Sequence, residues 1–314
     1  MSQSHTRRTS LKLLAGAAVG IAAGQPGSAA SQEVPWSAGT GKPRTKAPAN
    51  ATDCHHHIYD HRFPASPTAT LLPPDASVAD YRKLQERLGT TRNIVVQPST
   101  YGTDNRLLIE SLAQFGPTAR GIVMLDRSVG SDELKRLNDK SVRGVRFGTR
   151  LPGGAPMDDM EPVARKIADL GWHIQLVSEG DRILEWKDVL GRLPTPVVFD
   201  HMGHLPEPEG AQHPAFRVIA DLIERRGAWV KLTGAYILSK VGPPTYADRS
   251  ELAKAYVKLA PERLVWGSDW PHPTSKPDAK PDDAVLFDLL SDWAPDETVR
   301  NRILVDNPAK LYGF

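Results

Sequence analysis

From residue 51 onward, short apolar runs alternate with stretches that carry an apolar stripe of helical period, and the alternation repeats eight times. Two strands joined through an amphipathic helix pair in parallel, because the helix carries the chain back across the sheet before the next strand begins. Strands are expected near Ala51–Ile58, Asn93–Gln97, Gly121–Leu125, Gly144–Phe147, His173–Val177, Val197–Asp200, Trp229–Leu232 and Leu264–Gly267. Helices are expected near Val78–Leu88, Asn105–Gln114, Asp132–Asp139, Asp159–Leu170, Arg182–Arg192, Ala215–Arg226, Glu251–Leu259 and Asp283–Trp293. Eight such units in roughly 260 residues match the usual length of a (β/α)8 TIM barrel, so the fold class is α/β with a single closed barrel over residues 51–314. An open doubly wound sheet is the alternative, and the lack of a Gly-x-Gly-x-x-Gly after the first strand speaks against it.

Composition narrows what the barrel can do. A formal net charge of +2 over 314 residues leaves no basic footprint for nucleic acid. Behind the N-terminus no apolar run approaches the ~20 residues that span a bilayer, so the mature protein is expected to be soluble and free of the membrane. Cys54 is the one cysteine, which excludes an internal disulfide. The first 30 residues read differently: Thr6-Arg-Arg-Thr-Ser-Leu-Lys12 precedes a weakly apolar stretch from Leu13 to Ala23, and Ser28-Ala-Ala30 places small residues for cleavage. That order resembles a twin-arginine export signal, with Ser10 where phenylalanine is common, and implies the twin-arginine export machinery as a partner and a periplasmic or otherwise exported location. A basic tail that happens to precede an apolar stretch is the plain alternative. Residues 31–50, rich in Pro, Gly, Ser and Lys, read as a flexible lead-in.

Three segments carry the chemistry, and each closes an apolar run: Asp53-Cys-His-His-His57, Asp200-His-Met-Gly-His204 and Trp266-Gly-Ser-Asp-Trp-Pro-His272. Side chains at i and i+2 of a strand share a face, so His55 and His57 look into one space and His56 looks away. In a (β/α)8 barrel the active site forms where the strands end, which brings His201 and Asp269 toward them. Three imidazoles and a carboxylate form a set that holds one divalent metal, zinc first among them, or polarises a carbonyl without metal. Asp269, ahead of Trp-Pro-His-Pro, is the candidate general base for water attack on an acyl carbon, with His55, His57 and His201 stabilising the charge that grows on oxygen. Arg127, Arg146 and Arg150 are candidates to bind a substrate carboxylate, so a small anionic substrate is expected. Gln97, Ser99, Tyr101, Tyr236 and His272 complete the candidate substrate contacts, with His204, Glu179 and Asp200 behind them. His61 and His213 lie in loops and read as solvated. Bland readings stand beside these: a buried histidine is often only a structural hydrogen-bonder, Asp269 can cap a loop, and most arginines end in surface ion pairs. A noncatalytic periplasmic anion-binding protein is the reading from a different class.

With Val305-Asp-Asn-Pro-Ala-Lys-Leu-Tyr312, Arg92-Asn-Ile-Val-Val-Gln97, Thr103-Asp-Asn-Arg106 and Val142-Arg-Gly-Val-Arg-Phe147, these motifs resemble the amidohydrolase-related superfamily across nearly everything from residue 50. They are most similar to its branch containing 2-pyrone-4,6-dicarboxylate lactonase, 4-sulfomuconolactone hydrolase and D-galactarolactone isomerase. The resemblance implies a metal-dependent-hydrolase type of TIM barrel and water attack on a lactone carbonyl, with the base at Asp269 and histidines at 55, 57 and 201. It implies no fixed metal requirement, since the pyrone lactonase works without one and the sulfomuconolactone enzyme is regarded as a zinc enzyme. Gly234-Ala-Tyr-Ile-Leu238 replaces a Pro-Glu-Arg that holds a carboxylate in the pyrone lactonase, and Val177 replaces a tyrosine, which argues against that dicarboxylate as substrate. Leu151-Pro-Gly-Gly-Ala155 and Tyr246-Ala-Asp248 are similar to the isomerase, which carries asparagine in place of Asp269. An asparagine cannot take a proton from water, so the aspartate favours hydrolysis, as in breakdown of aromatic compounds or sugar acids, with lactone isomerisation as the alternative.

Overall fold

A computed structural model of the chain describes residues 1–3, 33–150 and 152–314. Eight parallel strands run in the order of the sequence: β1 Thr52–His56, β2 Arg92–Val96, β3 Ala119–Val123, β4 Val142–Gly148, β5 His173–Val177, β6 Val197–Phe199, β7 Trp229–Leu232 and β8 Leu264–Trp266. Helices cover them outside: α1 Val78–Leu88, α2 Arg106–Phe115, α3 Ser131–Asp139, α4 Met160–Ile167, α5 Gly180–Arg192, α6 Pro214–Arg226, a short α7 Ala235–Leu238, α8 Ala247–Leu259 and α9 Asp283–Trp293. This is the (β/α)8 barrel that the eightfold alternation predicts. β6 stops at Phe199, one residue early, because Asp200 opens a tight turn, and the expected helix over 159–170 is α4 followed by a 3-10 turn from Ala168 to Leu170.

Local chemistry sets the helix ends. Ser77 caps α1 through a capping box with Asp80, and Gly89 at φ 82° ends it in the left-handed conformation glycine adopts freely. α6 starts on Pro214 after His213, whose Nδ1 accepts the Ala215 N–H, and ends on Gly227 at φ 65°. His213 is therefore a buried cap, 8% exposed, and not the solvated loop residue expected. The unpaired N–H groups of a helix start need an acceptor, and its ring supplies one.

Barrel closure falls just past β8. The three residues of β8 are too few to form a ladder with β1, and the ring is completed by Asp269 N–H to His55 O at 2.8 Å, His57 N–H to Trp270 O at 2.8 Å and a parallel bridge between His56 and Trp270. Inside the ring, Cys54, Ile94, Val96, Ile122, Val198, Trp229 and Val265 form one apolar cluster with Tyr312, separate from the larger core between strands and helices. The lead-in differs from its expectation. Over residues 33–50 it is fastened to the barrel: Val34 is 1% exposed, Pro35 O accepts from Trp270 Nε1, Arg87 of α1 donates to Ala38 O and Gly41 O, and Asp288 of α9 receives the Thr45 N–H. Its Pro- and Gly-rich composition removes helix and strand but leaves its carbonyls free to accept from distant side chains. The export signal falls on residues outside those described, and among the described residues no helix is long and apolar enough to cross a membrane.

His173, at the floor of the interior beside Tyr312, has no partner on either ring nitrogen. Burial, reinforced by the Lys231 charge, pushes its pKa down to about 3. A folded-state value below the ordinary 6.5 favours the neutral ring, so this stabilisation is present in full above pH 6.5 and fades as pH falls toward 3. Replacing His173 with Leu should remove that dependence: the fall in Tm between pH 7 and pH 4, followed by circular dichroism, should shrink by about 5 °C. Parallel pH profiles for the two proteins would overturn the assignment.

Candidate active site

Two local distortions aim the histidines. In β1 the register runs Asp53 opposite Asn93 and then His56 opposite Val95, so one extra residue sits on the first strand. Cys54 packs in the inner apolar cluster and His55 still turns inward, whereas strict alternation from Cys54 would send it outward. His56 faces out, stacked on Tyr81 at 3.6 Å with Nε2 3.0 Å from Asn93 Oδ1, and His57 returns to the interior. After β6 the chain turns through His201, Met202, Gly203 and His204, all at φ between 45° and 73°, which sets the two histidine rings 4.8 Å apart. Asp269 at φ 64° and His272 at φ 56° are in the same region. Non-glycine residues held there cost of order 1 kcal/mol each and persist where surrounding packing over-determines them, commonly at functional sites.

His55 Nε2 and His57 Nε2 lie 3.3 Å apart, and each is 3.5 Å from Asp269 Oδ1. His201 stands against His55 with ring centroids at 4.8 Å, and the Tyr236 hydroxyl donates to Asp269 Oδ2 at 2.7 Å. The four residues named for the central chemistry are thus together in one cup at the strand ends. Burial alone would raise the Asp269 carboxyl, but the surrounding imidazoles, His201 foremost, hold it well below the usual carboxylate range. Burial lowers His55 far below the ordinary imidazole value, against the pull of Asp200, and lowers His201 and His204 as well. His57 Nδ1 is 2.8 Å from Val96 O; a carbonyl only accepts, so this nitrogen carries a proton and Nε2 is the atom turned to the cup.

The donor set fits a divalent metal. Ligand atoms 2.0–2.1 Å from a tetrahedral ion are about 3.4 Å from one another, which matches the 3.3, 3.5 and 3.5 Å separations of His55 Nε2, His57 Nε2 and Asp269 Oδ1. Beneath them lies a buried polar layer. Asp200 Oδ2 accepts from Arg146 Nε at 3.2 Å and Gln175 Nε2 at 3.0 Å, while Oδ1 is 3.2 Å from His55 Nδ1 and 3.6 Å from Lys231 Nζ. His55, Lys231 and Arg146 together overcome its burial and keep Asp200 well below the ordinary carboxylate value.

The mouth above is lined by Tyr59, Ser99, Met124, Arg146, Arg150 and His204, among others. Other expected contacts go elsewhere. Arg127 is half exposed and pairs with Asp159 and the Asp158 carbonyl, which turns its guanidinium away from the cup. The Gln97 amide donates to Gly102 O and Asp104 O, so its side chain fixes a loop, and only its carbonyl reaches the site, where Arg146 Nη1 donates to it. The Tyr101 hydroxyl accepts from Asp60 N–H and donates to Asp60 O, tying the loops after β1 and β2. His272 bonds Asp283 at 3.0 Å and presents its ring to the edge of Tyr236, so it supports that tyrosine from behind. Sequence reasoning missed Lys231 and Gln175. A lysine flanked by Val230 and Leu232 in an apolar strand was the available signal, since lysine is almost never fully buried without partners. It also missed that Asp53 accepts from Ser268 N–H, Ser268 Oγ, Tyr81 Oη and His55 N–H, against burial that lifts its pKa to about 6.

Known proteins share this architecture. The chain is 37% identical to a 2-pyrone-4,6-dicarboxylate hydrolase of Comamonas testosteroni over 88% of its own length and 94% of that protein's. It is 36% identical to a 4-sulfomuconolactone hydrolase of Rhizobium radiobacter, covering 85% and 91%, and 32% identical to a D-galactarolactone isomerase of Agrobacterium fabrum, covering 86% and 93%. An apo crystal structure from Agrobacterium tumefaciens superposes with a TM-score of 0.81 at 31% identity, covering 89% of this chain and 98% of that one. The amidohydrolase family model matches residues 52–314, and the chain belongs to the amidohydrolase family.

Proposed function

We propose that this chain is a hydrolase that opens the ring of a small carboxylate-bearing lactone. The observation that carries the reading is a buried, ionised Asp269 carboxylate 3.5 Å from two imidazoles, at the mouth of a barrel similar over its length to two lactone hydrolases. Asp269 Oδ2 is held by Tyr236, which leaves Oδ1 to take a proton from water. The water oxygen bonds the acyl carbon, and the N–H groups that His55 and His201 turn toward the cup stabilise the charge gathering on the carbonyl oxygen, while His57, whose Nδ1 is held by Val96 O, is left as a metal ligand. When the tetrahedral centre collapses, the ring C–O bond breaks and the ring oxygen receives the proton held by Asp269, giving a hydroxy acid. A divalent metal, zinc by the ligand set, would be held by His55, His57 and Asp269 and would supply Lewis-acid polarisation of the carbonyl.

Arg150 supports the anionic substrate. It lines the mouth, and its partner Glu179, 3.7 Å away and more than half exposed, makes only a loose pair. Arg146 is less free, being bound to Asp200 and Gln97 O. The isomerase relative favours a second reading, proton relocation within a sugar-acid lactone. The N-terminal Arg7-Arg8 and following apolar stretch support export to the periplasm, and lactones from aromatic or sugar-acid breakdown are the substrate sources we propose.

Asp269→Asn should lower kcat about 100- to 10,000-fold on a lactone that the wild type turns over while binding changes little; undiminished kcat removes Asp269 from the role. In water enriched in 18O the product should gain one solvent oxygen, and unlabelled product establishes the isomerase reading. Arg150→Ala should raise KM for a carboxylate-bearing lactone about 10- to 100-fold, with kcat within about threefold and no comparable change for an uncharged lactone. Equal KM changes for both would place the carboxylate elsewhere. Arg7→Lys with Arg8→Lys should move the protein from the periplasmic to the cytoplasmic fraction, and an unchanged distribution argues against twin-arginine export.

A further inference from the structure

The ammonium of Lys231 lies inside the barrel with its side chain fully buried, directly below the cup. Lysine has three N–H donors and no acceptor. Two are taken by Cys54 O at 2.8 Å and Gln175 Oε1 at 2.7 Å. The third direction holds His55 Nδ1 at 3.4 Å, with Asp200 Oδ1 at 3.6 Å beside it. An ammonium can bond to His55 Nδ1 only if that nitrogen carries a lone pair, which places the single proton of the neutral ring on Nε2.

The rest of the chain of contacts agrees. His57 Nδ1 must donate to Val96 O, so in the neutral ring His57 Nε2 is free to accept, and His55 Nε2 at 3.3 Å is the donor in reach. Donors run one way, from Lys231 through His55 and His57 to Val96 O, and each link has one donor and one acceptor. Asp200 Oδ1 competes for the same His55 nitrogen from 3.2 Å and has no hydrogen-bond partner in this arrangement. If the proton sat on Nδ1 facing Asp200, two imidazole lone pairs and the Asp269 carboxylate would converge within 3.5 Å with no positive charge among them. That convergence is repulsive unless a cation occupies it.

We propose that Lys231 is a positioning residue which, in competition with Asp200, decides whether His55 presents an N–H donor or a metal-binding lone pair to the cup. The inference rests on the reading of this cup as the active site but not on its substrate. Lys231 holds His55 as a donor, and Asp200 supplies the acceptor that lets the ring turn ligand when a divalent cation enters. A lysine that merely tied β7 to β1 and β5 would leave the His55 tautomer unchanged when replaced.

The test uses the metal-free protein labelled with 15N-histidine, with His55 assigned by His55→Gln. Long-range proton–nitrogen spectra should show the wild-type His55 proton on Nε2. Lys231→Met should move it to Nδ1, and Asp200→Asn should leave it on Nε2. Zinc affinity, measured by competition with a chelating dye, should rise at least tenfold in Lys231→Met and fall at least tenfold in Asp200→Asn. A wild-type proton on Nδ1, an unmoved tautomer in Lys231→Met, or affinities shifting in the same direction would overturn the proposal. Should Lys231→Met fail to fold by circular dichroism, the double variant Lys231→Met with Asp200→Asn, which removes both buried charges, replaces it: a His55 proton shifted toward Nδ1 relative to Asp200→Asn alone supports the proposal, and an identical distribution overturns it. Lactone turnover is read separately: a wild type with these tautomers and no turnover refutes the hydrolase reading and leaves the Lys231 assignment standing.

Discussion

The seam between the first and last strands governs both the fold and the cup. A (β/α)8 ring must close by pairing its ends, and here β8 is spent after three residues, so closure passes to the segment that follows it. The backbone bonds that complete the ring, Asp269 N–H to His55 O and His57 N–H to Trp270 O, belong to the residues whose side chains meet in the cup. Asp53 reinforces them from outside by accepting both the N–H and the hydroxyl of Ser268. The spacing of the two imidazoles and the carboxylate is consequently set by main-chain geometry, which is stiffer than any side-chain contact and suited to a preorganised site. The fastened lead-in extends the same logic, since Pro35 holds the indole next to Asp269 and Arg87 joins Asp282 across the seam.

Below the cup, Arg146, Lys231, Asp200 and Gln175 form a buried charged layer where most barrels place branched apolar side chains. Taking two cations and a carboxylate out of water carries a large desolvation penalty, and such groups are weak evidence of stability in themselves. Their arrangement makes sense as support for the imidazoles above. Asp200 is held on one oxygen by Arg146 and Gln175, which leaves the other facing His55. The left-handed turn over residues 201–204 is a further local expense that brings His201 and His204 to the mouth.

Much of this was legible from the residues alone. Apolar runs of strand length, helical stripes between them and the His-x-His period of β1 carry their own geometry, so the barrel and the inward pair His55 and His57 follow from local pattern. What failed to show depends on partners distant in sequence. Arg127 follows its strand and Arg146 lies within an apolar one, yet only the fold puts Asp159 beside the first and Asp200 beside the second. Tyr101, Gln97 and His272 sit close to the site in sequence, yet the first two satisfy backbone groups of loops and the third the Asp283 carboxylate at the start of α9. Lys231 was hidden by the opposite error: a charge within an apolar strand reads as an exception until the closed ring shows that strand's inner face to be polar. The left-handed run over His201, Met202 and His204 is signalled in the chain only weakly, by Gly203 in its midst and by histidine's modest tolerance of positive φ.

The charge balance of the site bears on the anionic ligand proposed for it. With burial pushing His55 and His201 toward the neutral form, Asp269 and Asp200 are matched by Lys231 and Arg146, and that buried set has little net charge to offer a ligand. Arg150 stands above it at the mouth, only partly buried and loosely met by an exposed Glu179. A carboxylate entering there meets a guanidinium whose existing partner is largely solvated and easily exchanged, so the gain from a bidentate contact is not cancelled by breaking a buried pair. The same carboxylate placed deeper would have to displace Asp200 from Arg146 and leave it unpaired in the interior. On the proposed hydrolase reading, the anionic group would stay at the rim with Arg150, and the neutral ester end would be the part that reaches Asp269 and the imidazoles.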